Sequence, residues 1–294
     1  MIIPLSVAWL AGHGFYRALG FRSRTLRVFG RNLHLYDRAG LGKAPPALLV
    51  HGLGGNAYSF LPLLRTLVRE CRRVVSVELP GHGRARLGTA EEPATIRECA
   101  QAIGRVLLDD VREPAVLVGS SLGGAIVLSA AIALPQWVAG VVGLNPAGAP
   151  LRGQDRLDVL TAFRSGSAQD ALETNRRLYR KPPRLGWLFA RGLARHWGSR
   201  TVQGLVRELQ EDQPGIAPEL LQTLARPVLI LWGRDDRVLP LSSLDYFRAH
   251  LPSAAVELVE ASGHLPQLEQ GALVAERVAL FVRALPSAGA VQAR

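Results

Sequence analysis

The chain has 294 residues, of which 48% are hydrophobic and 20% charged, and this composition excludes an intrinsically disordered protein. Two cysteines are too few for a disulfide framework, and no apolar stretch reaches the roughly 20 residues that span a bilayer. The net charge of +11 comes from scattered arginines rather than from a basic run, so we expect no nucleic-acid partner.

Residues 1–23 are apolar at first and then basic, which is the reverse of the order in a secretory signal. One interpretation is an interfacial helix with three aromatic side chains facing the lipid and two arginines at the level of the headgroups; these are Trp9, Phe15 and Tyr16, and Arg17 and Arg22. The other is a helix packed on the protein's own surface. We favour the second and expect a cytoplasmic protein, with peripheral membrane contact through this arm left open.

The rest of the chain alternates strand-like and helix-like segments, which predicts a mostly parallel sheet flanked by helices. The predicted strands are Thr25–Phe29, Leu33–Tyr36, Ala47–Val50, Val74–Glu78, Ala115–Val118, Val138–Leu144, Val228–Trp232 and Ala255–Val259. The predicted helices are 58–69, 94–110, 122–134, 241–250 and 267–284. The first two strands are joined by Gly30-Arg31-Asn32, which predicts an antiparallel hairpin at the sheet edge.

Residues 147–222 interrupt this alternation with helical spacing and many aromatic and arginine side chains. A helical insertion after the carboxyl end of a strand is typical of a lid over an active site. We therefore divide the chain into an N-terminal arm (1–23), a core domain made of 24–146 and 223–294, and a helical cap (147–222).

The strongest catalytic motif is Gly119-Ser120-Ser121-Leu122-Gly123, between the predicted strand Ala115–Val118 and a predicted helix. A serine on a sharp strand-to-helix turn has a strained backbone, and glycines two residues before and after it allow the close approach. Only Ser121 has glycine at both positions. We predict that Ser121 is the nucleophile and that Ser120 is only its neighbour.

A serine nucleophile needs a general base and an acid that orients the base. His264 lies between the last predicted strand and the final helix, in a loop at the carboxyl edge of the sheet. The acid follows the preceding strand, where Asp235 and Asp236 compete. Asp235 could pair locally with Arg234 or Arg237, so we favour Asp236. The resulting order along the chain is nucleophile, acid and base.

An oxyanion hole requires two N–H groups directed at the charge that develops on the substrate carbonyl. The backbone N–H of Leu122, at the start of the helix after the nucleophile, is one candidate. The glycine-rich loop 51–55 supplies the other, for which we choose the N–H of Leu53. We interpret His51 as a structural residue that fixes this loop through a hydrogen bond, and we expect loop 79–83 to have a similar shaping role.

The ordered motifs HGLGG, LPGHG, GSSLGG, WGRDD and SGH resemble those of the α/β-hydrolase fold family, in its branch of capped serine esterases, lipases and carbon–carbon bond hydrolases. The resemblance covers residues 24–285. It implies a mostly parallel eight-stranded sheet with a helical cap after the sixth strand, and a triad of Ser121, Asp236 and His264. Some members place the acid after the sixth strand, where this chain has Asn145, and this supports Asp236.

We predict a serine hydrolase of carboxylic esters with an apolar acyl or alcohol group, acting on a small-molecule substrate without a cofactor or metal. A carbon–carbon bond hydrolase or an acyltransferase is the alternative, and a non-catalytic binding protein is less favoured because every triad position is filled. In the alternative, arginines of the cap would hold a substrate carboxylate; these are Arg176, Arg177, Arg180, Arg184 and Arg191.

Overall fold

A computed structural model describes residues 5–88, 91–163, 167–184, 186–211 and 215–286. Within these ranges the strands form one eight-stranded sheet in the order β1-β2-β4-β3-β5-β6-β7-β8. The strands are β1 (Arg22–Val28), β2 (Arg31–Ala39), β3 (Ala47–Val50), β4 (Arg73–Glu78), β5 (Ala115–Ser120), β6 (Val138–Leu144), β7 (Val228–Gly233) and β8 (Ala254–Val259). Each predicted strand is present, with ends within three residues of the prediction.

The sheet is antiparallel at one edge and parallel everywhere else. β1 pairs with β2 and β2 with β4 in antiparallel register, which confirms the predicted hairpin. The pairs β4–β3, β3–β5, β5–β6, β6–β7 and β7–β8 are parallel. The central strands are continuous apolar runs because helices cover both faces of the sheet. The loops at their carboxyl ends therefore meet at one edge.

The helices outside the predicted cap are α1 (Leu5–Ala18), α2 (Leu61–Glu70), α3 (Ile96–Arg105), α4 (Leu122–Ala133), α10 (Leu241–His250), α11 (Pro266–Glu269) and α12 (Gly271–Ala284). Two of the predicted helices are not continuous. The predicted helix 58–69 starts as a 3₁₀ turn, and α2 begins only where Pro62 occupies its first turn. The predicted helix 267–284 is broken at Gln270, whose backbone is not helical.

Between β6 and β7 the chain forms the helices α5 (Gly153–Ala162), α6 (Ala168–Leu178), α7 (Ala190–Trp197), α8 (Arg200–Gln210) and α9 (Pro218–Gln222). Their apolar side chains join the core that also contains α3 and α4. α3 and α4 cover one face of the sheet, and α2 and α12 cover the other.

α1 packs on the core domain, as the favoured interpretation predicts. The side chain of Tyr16 is fully buried, its hydroxyl donates to the carbonyl of Ala57 (2.8 Å), and its ring stacks on Tyr36 with centroids 4.1 Å apart. The placement of Tyr16 in lipid is therefore wrong, because the ring belongs to the protein core. Phe15 is 37% exposed on the outer side of the helix. Among the described helices, none is long and apolar enough to cross a bilayer.

Gly12 and Gly14 of α1 provide a matched pair for testing this packing. A Cβ on Gly12 would lie 2.5 Å from a ring carbon of Tyr58, whereas a Cβ on Gly14 would meet nothing within 4 Å. We expect Gly14→Ala to stabilise the protein by about 0.5–1 kcal/mol through helix propensity. Gly12→Ala should instead destabilise it, because the helix or the ring must shift. Urea unfolding of both variants measures the difference, and equal midpoints would contradict the observed packing.

Candidate active site

Ser121 lies on a sharp turn between β5 and α4. Its backbone is strained, with φ 54° and ψ −120°. A Cβ on Gly119 would lie 2.3 Å from the carbonyl oxygen of Gly123, and a Cβ on Gly123 would lie 2.1 Å from that of Val50. Both glycines are therefore required by close backbone contact, and the strand–turn–helix geometry predicted for Ser121 is present.

His264 and Asp236 meet at the same edge of the sheet. Nδ1 of His264 lies 2.8 Å from Oδ2 of Asp236, and each side chain is 1% exposed. The loop after β8 carries the histidine and the loop after β7 carries the aspartate. Nε2 of His264 is buried and has no hydrogen-bond partner within the part of the chain that the structure describes. His264 and Ser121 line the same cavity.

The carboxylate of Asp236 is held by three donors besides the histidine. Oδ1 accepts the backbone N–H groups of Val238 (2.7 Å) and Leu239 (3.0 Å). Oδ2 accepts Nδ2 of Asn145 at 2.6 Å. These bonds fix the carboxylate in one orientation toward the imidazole.

Asn145 is a site residue whose contact the sequence reasoning missed. Its side chain joins two strand ends, since Oδ1 accepts the N–H of Gly233 (2.9 Å) while Nδ2 donates to Asp236. Its backbone has φ 42°, a conformation that asparagine tolerates better than most residues. The available signal was its position directly after β6, the strand that pairs with β7.

The neighbouring Asp235 has a partner that local pairing did not predict. Its carboxylate lies 2.7 Å from Nε of Arg180, between β7 and the helical insertion. Arg234 instead pairs with Glu260 at 2.7 Å. The expected local pair of Asp235 with Arg234 or Arg237 is therefore not the one formed, while Asp236 is the aspartate that contacts the histidine.

The glycine-rich loop after β3 packs directly on the turn of Ser121. A Cβ on Gly52 would lie 2.9 Å from Cβ of Ser121, so only glycine fits there. Gly54 has φ +62°, which turns the chain back, and Leu53 between them lines the cavity. Leu122 is the first residue of α4, and the first N–H groups of a helix have no intrahelical acceptor. The two N–H groups chosen for the oxyanion hole thus belong to segments that flank Ser121.

His51 and His82 hold the glycine-rich loop 51–55 in place through hydrogen bonds to backbone groups. His51 donates from Nδ1 to the carbonyl of Gly52 (2.8 Å) and accepts the N–H of Leu79 at Nε2 (3.1 Å). His82 accepts the N–H of Gly54 at Nε2 (3.3 Å). Burial lowers the pKa of His51 to about 4, so its ring is neutral and can both donate and accept. This confirms our interpretation of His51.

The helical insertion contacts the glycine-rich loop 51–55 and the loop that carries His264. Nε2 of His196 donates to the carbonyl of Gly54 (2.5 Å), and the ring of Trp197 packs against Gly54. On the other side, Glu269 accepts three backbone N–H groups, from Gly263 (2.7 Å), Arg180 (3.1 Å) and Lys181 (3.0 Å). The insertion is therefore joined to the loops on either side of Ser121.

The cavity that contains Ser121 and His264 has a volume of about 320 Å³ and mostly apolar walls. Its aromatic and aliphatic lining residues are Trp9, Leu53, Tyr58, Phe163, Leu178, Tyr179, Leu193, Trp197, Leu265 and Leu268. None of the five cap arginines is among the described residues that line it. Arg180 is instead paired with Asp235, and Arg176 and Arg177 lie beside Glu173.

Comparison with known proteins identifies the family. The model of the alpha/beta hydrolase family matches residues 47–277, which include the strand–turn–helix of Ser121 and the loops of Asp236 and His264. The chain belongs to this family. It is accordingly a hydrolase, with the fold that the resemblance implied.

Relatives of this α/β hydrolase include an esterase. The chain is 30% identical over 258 residues to the pimeloyl-[acyl-carrier protein] methyl ester esterase of Xanthomonas campestris pv. campestris (strain B100), covering 84% of this chain and 98% of the relative.

Solved structures with the same fold include a membrane phospholipase A described as a bacterial virulence factor, with a TM-score of 0.80, 23% identity, and coverage of 95% of this chain and 92% of that one. Another is the 2-hydroxy-6-oxo-6-phenylhexa-2,4-dienoate hydrolase of Rhodococcus sp. strain RHA1, with a TM-score of 0.77, 21% identity, and coverage of 90% and 99%.

Glu78, at the end of β4, braces the loop that carries His82. Its side chain is fully buried and accepts the N–H of Arg84 at 2.7 Å. Burial raises its pKa from 4.5 to about 7. A raised carboxyl pKa means that the folded protein holds a proton that the unfolded chain releases, so the stability contribution of Glu78 falls as the pH rises through this window.

We therefore expect Glu78→Gln to change the pH dependence of stability. Between pH 5 and pH 8 the unfolding free energy of the wild-type protein should fall by about 2–3 kcal/mol relative to that of the variant. Urea unfolding of both proteins at several pH values measures this difference, and other titrating groups cancel in the comparison. A difference that stays constant over this range would show that the pKa of Glu78 is not raised.

Proposed function

We propose that this α/β hydrolase cleaves carboxylic esters with an apolar acyl or alcohol group through an acyl-enzyme on Ser121. The observation that carries the proposal is the arrangement of His264. Its Nδ1 is bonded to the buried carboxylate of Asp236, and its buried Nε2 is left without a partner among the described residues of a cavity that Ser121 also lines. A neutral imidazole in this position can accept the proton of a serine hydroxyl.

The reaction then runs in two halves. Nε2 of His264 takes the hydroxyl proton of Ser121 as Oγ forms a bond to the acyl carbon, and the N–H groups of Leu53 and Leu122 stabilise the negative charge on the carbonyl oxygen. As the ester C–O bond breaks, His264 gives the proton to the leaving alcohol. Water, activated by His264, hydrolyses the acyl-enzyme and returns Ser121 to its initial state.

The walls of the cavity support an apolar substrate. They are built mainly from leucine and aromatic side chains, and a cavity of about 320 Å³ accepts a medium-sized acyl or alcohol group. The relative described as a methyl ester esterase supports ester cleavage in particular. Carbon–carbon bond cleavage is the alternative because a dienoate hydrolase shares the fold. The absence of the five cap arginines from the described cavity walls favours the ester, since they would have to hold a substrate carboxylate.

Ser121→Ala tests the nucleophile, and Ser120→Ala is its matched neighbour. Oγ of Ser120 is buried and accepts a hydrogen bond from Gln267 (3.2 Å), so it is engaged in structure. We expect Ser121→Ala to lower kcat on p-nitrophenyl esters by at least about 10⁴-fold, because the covalent step is lost. Ser120→Ala should keep activity within about tenfold. The measurement is hydrolysis of p-nitrophenyl esters from acetate to palmitate.

Labelling with a fluorophosphonate separates the remaining outcomes. If Ser121→Ala is not labelled while wild type and Ser120→Ala are, Ser121 is the nucleophile even if the natural substrate is not an ester. Labelling of wild type without ester hydrolysis would favour carbon–carbon cleavage or acyl transfer. Full esterase activity in Ser121→Ala would refute the mechanism.

The two adjacent aspartates offer a second matched comparison. Asp236→Asn should lower kcat by about 10³–10⁴-fold with little change in KM, because an amide no longer holds the imidazole in the reactive tautomer. Asp235→Asn loses only a half-exposed pair with Arg180 and should keep kcat within about threefold. Steady-state kinetics on one ester measures both. Equal losses in the two variants would contradict the assignment of Asp236.

A further inference from the structure

We infer that Trp9 of the N-terminal helix is a specificity-determining residue that limits the length of the apolar chain the cavity accepts. The inference rests on the proposed function and extends it to a part of the chain that precedes the family match at residues 47–277. Trp9 lines the same cavity as Ser121 and His264, although more than 100 residues separate it from either along the chain.

α1 is held in place by contacts that determine where Trp9 lies. Near its carboxyl end, the buried Tyr16 donates to the carbonyl of Ala57. One turn earlier, Gly12 lies against the ring of Tyr58, which itself lines the cavity. Nδ1 of His13 lies 3.0 Å from the hydroxyl of Tyr36. These contacts fix the carboxyl-terminal half of α1, and the half that carries Trp9 continues from it by less than one turn.

The indole of Trp9 closes the space between α1 and α7. Its ring meets the imidazole of His196 edge to face, with centroids 5.5 Å apart and planes at 83°. His196 in turn donates to the carbonyl of Gly54 in the loop beside Ser121. The indole therefore forms part of the cavity wall on the side of the N-terminal arm. A substrate chain that extends in this direction meets the indole.

Val7 and Leu10 of the same helix point the other way. They are 50% and 66% exposed and do not line the cavity. Leu10→Ala is thus a matched control that shortens an apolar side chain of α1 without altering the cavity wall. Trp9→Ala removes the wall itself, so longer chains gain room while chains that touch the indole lose a contact.

The test measures binding in a Ser121→Ala background, so that it does not depend on turnover. A fluorescent fatty acid is displaced by saturated fatty acids of 4 to 16 carbons, with and without Trp9→Ala. Each additional buried methylene contributes about fourfold in affinity. We expect Trp9→Ala to move the best-bound chain length upward by at least two carbons and to raise the ratio of long-chain to short-chain affinity by about tenfold. Leu10→Ala should leave the profile unchanged.

Hydrolysis of p-nitrophenyl esters by the proteins with intact Ser121 gives the second readout. The same upward shift in kcat/KM is expected for Trp9→Ala, whereas Leu10→Ala should keep the wild-type profile. The inference would be overturned if Trp9→Ala left the chain-length profile unchanged. It would also be overturned if fatty acids bound to the Ser121→Ala protein neither with nor without Trp9→Ala. A uniform fall in kcat at every length would overturn it as well, because Trp9 would then act only by positioning His196. Failure of the proposed function would give a different result: neither the wild-type protein nor the Trp9→Ala variant would hydrolyse any ester.

Discussion

The site depends on one constraint, the strained backbone of Ser121. A residue with φ 54° is kept there only if its surroundings leave no alternative, and here the surroundings are three glycines in van der Waals contact with backbone or with the serine itself. Gly119 and Gly123 bring strand and helix together, and Gly52 brings the neighbouring loop against the serine. Because this contact is so close, the loop proposed to supply an oxyanion donor and the serine proposed as the nucleophile are positioned by the same packing.

The loops around this turn are ordered mainly by buried polar side chains. His51, His82 and Asn145 each join two segments that are distant along the chain, and none of the three is a member of the proposed triad. Burial keeps the two histidines neutral, which allows each ring to accept one backbone N–H. The three histidine-containing loops of the carboxyl edge thus have different roles: His51 and His82 are neutral and hold backbone groups, whereas of these three histidines only His264 has a buried nitrogen without a partner among the described residues.

The sequence predicted the fold and the positions of Ser121, Asp236 and His264 because these are encoded locally. Buried parallel strands are short apolar runs, and the motifs that contain the three residues directly follow strands. What it did not predict are contacts between remote segments: Asn145 with Asp236, Arg180 with Asp235, and His196 with Gly54. Trp9 is the same kind of case, since nothing near it in the sequence indicates a cavity. The breaks in two predicted helices were missed because apolar periodicity continues across them.

The carboxylate of Glu269 has a consequence for how substrate enters. It accepts one N–H from the loop of His264 and two from the segment that follows α6, so it fastens the helical insertion to the core. A rigid swing of the whole insertion would break the two bonds from Arg180 and Lys181 and also the bond between His196 and the carbonyl of Gly54. At about 1 kcal/mol for each of these three bonds, such a state would be populated in fewer than about one molecule in a hundred. We therefore expect substrate to enter by rotation of side chains at the rim of the cavity rather than by movement of the whole helical insertion.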